Sequence, residues 1–202
     1  MDDVTSLYLP TMERMLLRSP EISLAVIPSF FSTLSLELST SDSIRTKLLP
    51  SIITSAKSVA LSTRSAANQL FDILFTSSSE DPDALLPFAT QLLSPLKMGK
   101  TSSPDHRTTL FIMLGSLPSF THLSTELVSL TLSLLPKESN EATLSAMMRV
   151  LCRHLPTVLQ ANSSLSPAEI SALVKGLQEV KPATLRFVCA AAGDVLWTEG
   201  LY

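Results

Sequence analysis

Arg64-Ser65-Ala66-Ala67-Asn68-Gln69-Leu70 is the stretch on which the fold turns. An arginine is followed by a small residue at the third position on and a leucine at the sixth, which is helical spacing. The small side chain of Ala67 lets a second helix approach closely. Outward from this stretch, apolar residues keep recurring at intervals of three and four. Leu110, Met113, Leu114 and Leu117 form one stripe, and Leu144, Met147, Met148, Leu151 and Leu155 form another. Only five glycines and an aromatic share of 5% disfavour a sheet-rich fold.

Breaks between the stripes carry their own signals. Ser19-Pro20, Ser103-Pro104 and Ser166-Pro167 each set a capping oxygen before a proline in the first helical turn, and Lys181-Pro182 opens a helix with the proline alone. A proline there loses nothing, because its N–H would be unpaired anyway. The chain divides on these signals into ten predicted helices, about 3–18, 20–36, 42–57, 61–77, 82–97, 104–118, 124–136, 140–154, 167–179 and 182–198. The longest connection falls around Pro156–Ser166.

Grouped in pairs (3–36, 42–77, 82–118, 124–154 and 167–198), the second helices start near 20, 61, 104, 140 and 182, in steps of 41, 43, 36 and 42. A period of about 40 to 47 residues with two helices per unit belongs to the HEAT and armadillo class, whereas tetratricopeptide and ankyrin units are shorter. First helices carry prolines at Pro10, Pro50 and Pro87, and second helices carry an early arginine at Arg64, Arg107 and Arg186, which favours HEAT. An interior proline removes one hydrogen bond and bends the helix. Pro28, inside a second helix, departs from that pattern. The expected architecture is an all-α solenoid of about five HEAT-type hairpins in a right-handed superhelix, one segment over 1–202 excised from a longer solenoid.

Composition bounds the function. The 202 residues are 45% hydrophobic and only 16% charged, below the roughly 25% usual in soluble domains. Mean hydropathy is +0.31 and the pI is near 5.6. That apolar balance suggests that something outside the segment covers part of its surface. No run reaches the length of about 20 apolar residues that a membrane span needs. The acidic start Met1-Asp2-Asp3-Val4 is unlike a signal peptide, and with only Cys152 and Cys189 a reducing cytoplasmic setting is expected. A net charge of −3 argues against a dedicated nucleic-acid binder, while leaving room for a local basic strip.

Catalytic chemistry is missing from the pattern. His106, His122 and His154 sit in no metal-binding frame, and Cys152 and His154 are two apart on a helix, facing different ways. Cys152 and Cys189 read as core residues. Gly99, Gly115, Gly176, Gly193 and Gly200 are isolated, so there is no phosphate-cradling loop. Gly99 is expected to end a helix in a left-handed cap. The reading is therefore no enzyme, no cofactor, no metal and no small-molecule substrate.

Basic residues are the remaining surface feature. Lys97, Lys100 and Arg107 cluster around one inter-helix loop, and Arg149 and Arg153 lie four apart on one helix. These five are the candidate contacts to a partner or to phosphate backbone. Arg45 with Lys47, and Lys175, Lys181 and Arg186, are further basic groups. The plain alternative is a solvated face or, for Arg149 and Arg153, charge complementing a helix C-terminus.

One run is more specific than generic HEAT. Leu9-Pro10-Thr11-Met12-Glu13-Arg14-Met15-Leu16-Leu17-Arg18-Ser19-Pro20-Glu21 resembles a segment in the N-terminal part of the large general control translational activator family, where a Leu-Pro-x-x-x-Arg helix runs into Leu-Leu-Arg-Ser-Pro-Glu. The similarity continues more weakly through Leu34-Ser35-Leu36-Glu37-Leu38, Leu48-Leu49-Pro50 and Arg64-Ser65-Ala66. Met113-Leu114-Gly115-Ser116-Leu117 is similar to that family's Gly-x-Gly-Ser-Leu, with the first glycine replaced. The resemblance is strongest over residues 9–75 and reaches about 125.

It implies a cytoplasmic scaffold that associates with ribosomes and supports activation of the stress kinase acting on initiation factor two, during amino-acid starvation or ribosome stalling. Its partners would be other HEAT repeats of the same chain and the ribosome. The stress kinase and an ABC-type partner would be engaged by family regions outside this sequence. The rival expectation is a HEAT scaffold of another class, such as a transport receptor or phosphatase regulatory subunit.

Overall fold

The computed structural model describes residues 8–19, 22–23, 26–27, 29, 42–75, 82–99, 103–119, 121–161, 166–168 and 171. Among these residues there are seven α-helices, one short 3-10 turn and no strand. The all-α expectation stands. The tally of ten does not fit the described residues, because 20–36, 167–179 and 182–198 fall wholly or largely outside them.

The helices are α1 (Leu9–Arg18), α2 (Asp42–Ser55), α3 (Leu61–Phe75), α4 (Pro82–Lys97), α5 (Pro104–Ser116), α6 (Thr121–Leu134) and α7 (Glu141–Gln160), with a 3-10 turn at Leu135–Lys137 after α6. The chain forms two compact units, Met1–Pro118 and Ser119–Tyr202.

Several boundaries follow from local chemistry. Pro104 opens α5 directly after Ser103, whose backbone is extended at φ −80° and ψ 126°. The expected side-chain cap is absent there: Ser103 Oγ makes no cap bond, so the proline sets this terminus. Asn140 does cap α7, its Oδ1 accepting from the Thr143 N–H at 3.0 Å. Gly99 follows α4 with φ +63°, the left-handed position that only glycine takes at no steric cost.

Two prolines behave differently from the expectation. Pro10 lies in the first turn of α1 rather than in its interior. Pro156 opens no loop. It sits inside α7, which runs six residues past the expected end at 154 to Gln160. Burial of Leu155 and Val158 on either side holds that turn in place despite the missing hydrogen bond. Pro50 and Pro87 are interior to α2 and α4 as expected, and Pro95 joins them.

Within Met1–Pro118, α2 packs on α3 and α4 on α5, giving two hairpins. Across the hairpins α2 packs on α4 and α3 on α5, and α1 packs on α2. First helices thus meet first helices, and second helices meet second helices. Ala67, fully buried, is the small residue of the opening stretch, and Leu70, Phe71, Leu74 and Phe75 continue its face. Phe75 stacks on Phe71 at 4.5 Å between ring centroids and meets Phe88 of α4 edge-on at 5.3 Å. In Ser119–Tyr202, α6 and α7 form one hairpin closed by Leu123, Leu127, Val128 and Leu132 against Leu144, Met147, Met148, Leu151 and Leu155.

Candidate functional site

The five candidate cations are placed unequally. Lys97 is exposed at the last position of α4. Arg107 is half-buried in the second turn of α5, where its N–H donates to the Ser103 carbonyl at 3.1 Å. Lys100 lies outside the described residues. Arg149 and Arg153 are both exposed on α7. Four residues apart, they share one face one turn from each other.

The dipole explanation for that arginine pair fails. Because α7 continues to Gln160, its last turn holds no basic residue, and both arginines sit mid-helix. The macrodipole acts only over the terminal turn. Lys97 and Arg107 belong to the first unit, Arg149 and Arg153 to the second.

Two other arginines are not surface groups at all. Arg45, at the start of α2, is completely buried. Its Nε donates to the Leu74 carbonyl at 2.9 Å, near the C-terminus of α3, and its Cζ lies 5.6 Å from the Phe75 ring centroid. A cation here bonds a carbonyl in the last described turn of α3 and faces the negative pole of that helix. Phosphate contact by Arg45 is thereby ruled out. Arg64 donates through Nη1 to the carbonyls of Ser58 and Val59 at 2.9 and 2.8 Å. Its Nη2 reaches Asp105 Oδ2 at 3.2 Å, tying α3 to the first turn of α5.

His106 and His154 are interior groups, whereas His122 is exposed. His154 is fully buried, with Nδ1 and Ser124 Oγ 3.0 Å apart between α6 and α7. His106 is buried in α5, and its Nε2 has no hydrogen-bond partner among the described residues. Desolvation, and then the positive charge of Lys57, hold its pKa below the ordinary 6.5. Cys152 is half-buried rather than a full core residue, while Cys189 lies outside the described residues. No group of three or more His, Cys, Asp or Glu among the described residues could hold a metal ion. No described helix is long and apolar enough to cross a membrane.

A further basic feature is absent from the candidates that the sequence suggests. Arg14 and Arg18 of α1 are exposed and line a groove of about 460 Å³ together with Thr11, Met15, Ser19, Ile22 and Ser23. The run Leu9–Glu21 stands out first as a family signature. Its i, i+4 arginine spacing is the signal that could have revealed a surface.

Two family profiles match the chain. One, described as stalled ribosome sensor GCN1 N-terminal, covers residues 1–102. The other, general control nonderepressible 1 (Gcn1) N-terminal, covers residues 104–201. The chain belongs to the Gcn1 N-terminal family. Both halves of the sequence carry Gcn1 features, although the resemblance in the letters fades beyond residue 125. The two Gcn1 profiles meet at the start of α5, inside the first structural unit, so their junction is not the fold's own division at Pro118. No curated protein and no solved structure matches the chain.

Proposed function

We propose that this chain is a non-catalytic scaffold segment of a Gcn1-type translational activator, contributing ribosome contact and rigid reach in the cytoplasm. The observation that carries the reading is the pair of Gcn1 N-terminal profiles, one described as a stalled ribosome sensor, which together span nearly every residue. Support for the scaffold role comes from the packing order of the first unit. Each hairpin meets the next like helix to like helix, the way units stack in a HEAT solenoid. On this reading the whole chain is one stretch of HEAT-type hairpins in a right-handed superhelix, and its neighbours are other repeats of the same kind.

The segment itself supplies contact and geometry, in support of activating the initiation-factor-two kinase during amino-acid starvation or ribosome stalling. Kinase and ABC-type partner are engaged elsewhere. Arg149 and Arg153 are the leading contacts to ribosomal phosphate, being exposed, one turn apart and unneeded by their own helix end. Lys97, Lys100 and Arg107 are the second set.

Co-sedimentation with ribosomes across a salt series tests this. The 202-residue chain should pellet with ribosomes at low salt and release as salt rises. Arg149→Glu with Arg153→Glu should weaken pelleting and lower the slope of log affinity against log salt by about one for each phosphate no longer bound. Failure of the unmodified chain to pellet at low salt would reject ribosome contact through this segment.

A further inference from the structure

The groove beside α1 combines two chemistries that rarely share a surface by accident. Its basic side is Arg14 and Arg18, separated by one helical turn, or about 6 Å of rise. Its apolar side is Met15 and Ile22, which are 40% and 64% exposed. Most of the remaining polar groups are already committed. The Ser23 hydroxyl donates to the Ser19 carbonyl at 2.8 Å, and Arg14 Nε donates to the Pro10 carbonyl at 3.3 Å. Among the described residues, what the groove still offers is the Nη groups of Arg14, the whole guanidinium of Arg18 and exposed hydrocarbon. Neither arginine has a carboxylate partner among the described residues.

We propose that this groove docks a peptide segment of another protein in which acidic residues are interspersed with large apolar ones. Guanidinium forks match carboxylates in a bidentate, planar way, so paired acidic side chains satisfy both arginines at once. A volume of about 460 Å³ lies within the roughly 300–1,000 Å³ of ligand pockets, room for a few side chains rather than a folded domain. Nucleic acid would use the arginines and leave Ile22 and Met15 in water. A purely apolar ligand would gain nothing from two cations at the rim. Charge complementarity and exposed hydrocarbon together select the acidic, apolar peptide. This surface is separate from Arg149 and Arg153, so it stands or falls independently of ribosome contact.

The test is fluorescence anisotropy on the 202-residue chain with a short labelled peptide alternating Asp or Glu with Leu or Phe. Companion probes are the same peptide with Leu and Phe replaced by Ser, a Lys-for-acid version, and a single-stranded RNA. The acidic apolar peptide should bind with salt-sensitive affinity. Arg14→Glu with Arg18→Glu should weaken it at least about tenfold and shift preference to the Lys version, with Arg14→Gln and Arg18→Gln intermediate. Ile22→Ser should weaken it several-fold without changing the salt dependence. Circular dichroism melting should leave these exposed variants folded as the parent. The proposal is overturned if the acidic apolar peptide fails to bind the parent chain, or if the Ser-replaced peptide binds equally well. Tighter RNA binding that ignores Ile22→Ser would overturn it too, assigning the arginines to nucleic acid.

Discussion

The two units place their arginines differently. In Met1–Pro118, two arginines are taken inside and satisfied by backbone: Arg45 by the Leu74 carbonyl, and Arg64 by the carbonyls of Ser58 and Val59. In Ser119–Tyr202, a buried polar link between the helices joins Ser124 Oγ to His154 Nδ1, side chain to side chain, and Arg149 and Arg153 of α7 are exposed. The difference shows that a cation in a helix reads as surface only until a carbonyl is found for it. Interior prolines, helix ends and short turns leave carbonyls open, and those carbonyls draw guanidinium groups inward. Arg45 and Arg64 hold adjacent helices through such points, so the first unit should be the more sensitive to loss of a charge.

Replacing Arg45 with Met should have the largest effect. It removes the charged donor to the buried Leu74 carbonyl and a cation resting on Phe75, and should cost about 2–4 kcal/mol in chemical denaturation of the chain. A loss near zero would mean that the aliphatic packing alone holds α2 on α3.

Arg64→Ala comes next, at about 1–3 kcal/mol, because it removes charge-assisted bonds to two carbonyls before α3. Asp105→Ala removes only the other end of the ion pair. The Asp105 side chain is 62% exposed, so that change should cost less than about 1 kcal/mol. Comparable losses from the two substitutions would show that the inter-helix bridge, rather than the backbone bonds, is the main role of Arg64.

A smaller effect in the first unit depends on pH. The lowered pKa of His106 means that the unfolded chain binds a proton more readily than the folded one. Stability is therefore full above the unfolded value of about 6.5 and falls as pH drops from there through the lowered folded value. His106→Gln should flatten that part of the stability profile, read by denaturant midpoints at successive pH values. An unchanged profile would place the acid sensitivity elsewhere.

Much of the helical framework is legible in the residues alone. The starts of α2, α3, α4 and α5 fall at the expected residues, because each is announced by a proline or a break in the stripe just before it. Ends are harder. The helix of Glu141–Gln160 overruns Pro156, since burial of Leu155 and Val158 outweighs one missing hydrogen bond and a sequence window cannot weigh the two. Of the candidate cations, the mid-helix exposure of Arg149 and Arg153 depends on that same overrun. Arg14 and Arg18 are plain in the sequence, but their role as a groove wall is created by Ile22 and Ser23 from the next segment.

By itself, then, the order of residues determined the helical class, the starts of α2 to α5 and membership of the Gcn1 N-terminal family, because periodic stripes, prolines and family signatures are local properties of a chain. Only the tertiary structure decided which cations face water. Arg45 reaches an acceptor 29 residues away, and no local pattern encodes whether such an acceptor will be open when the helices meet.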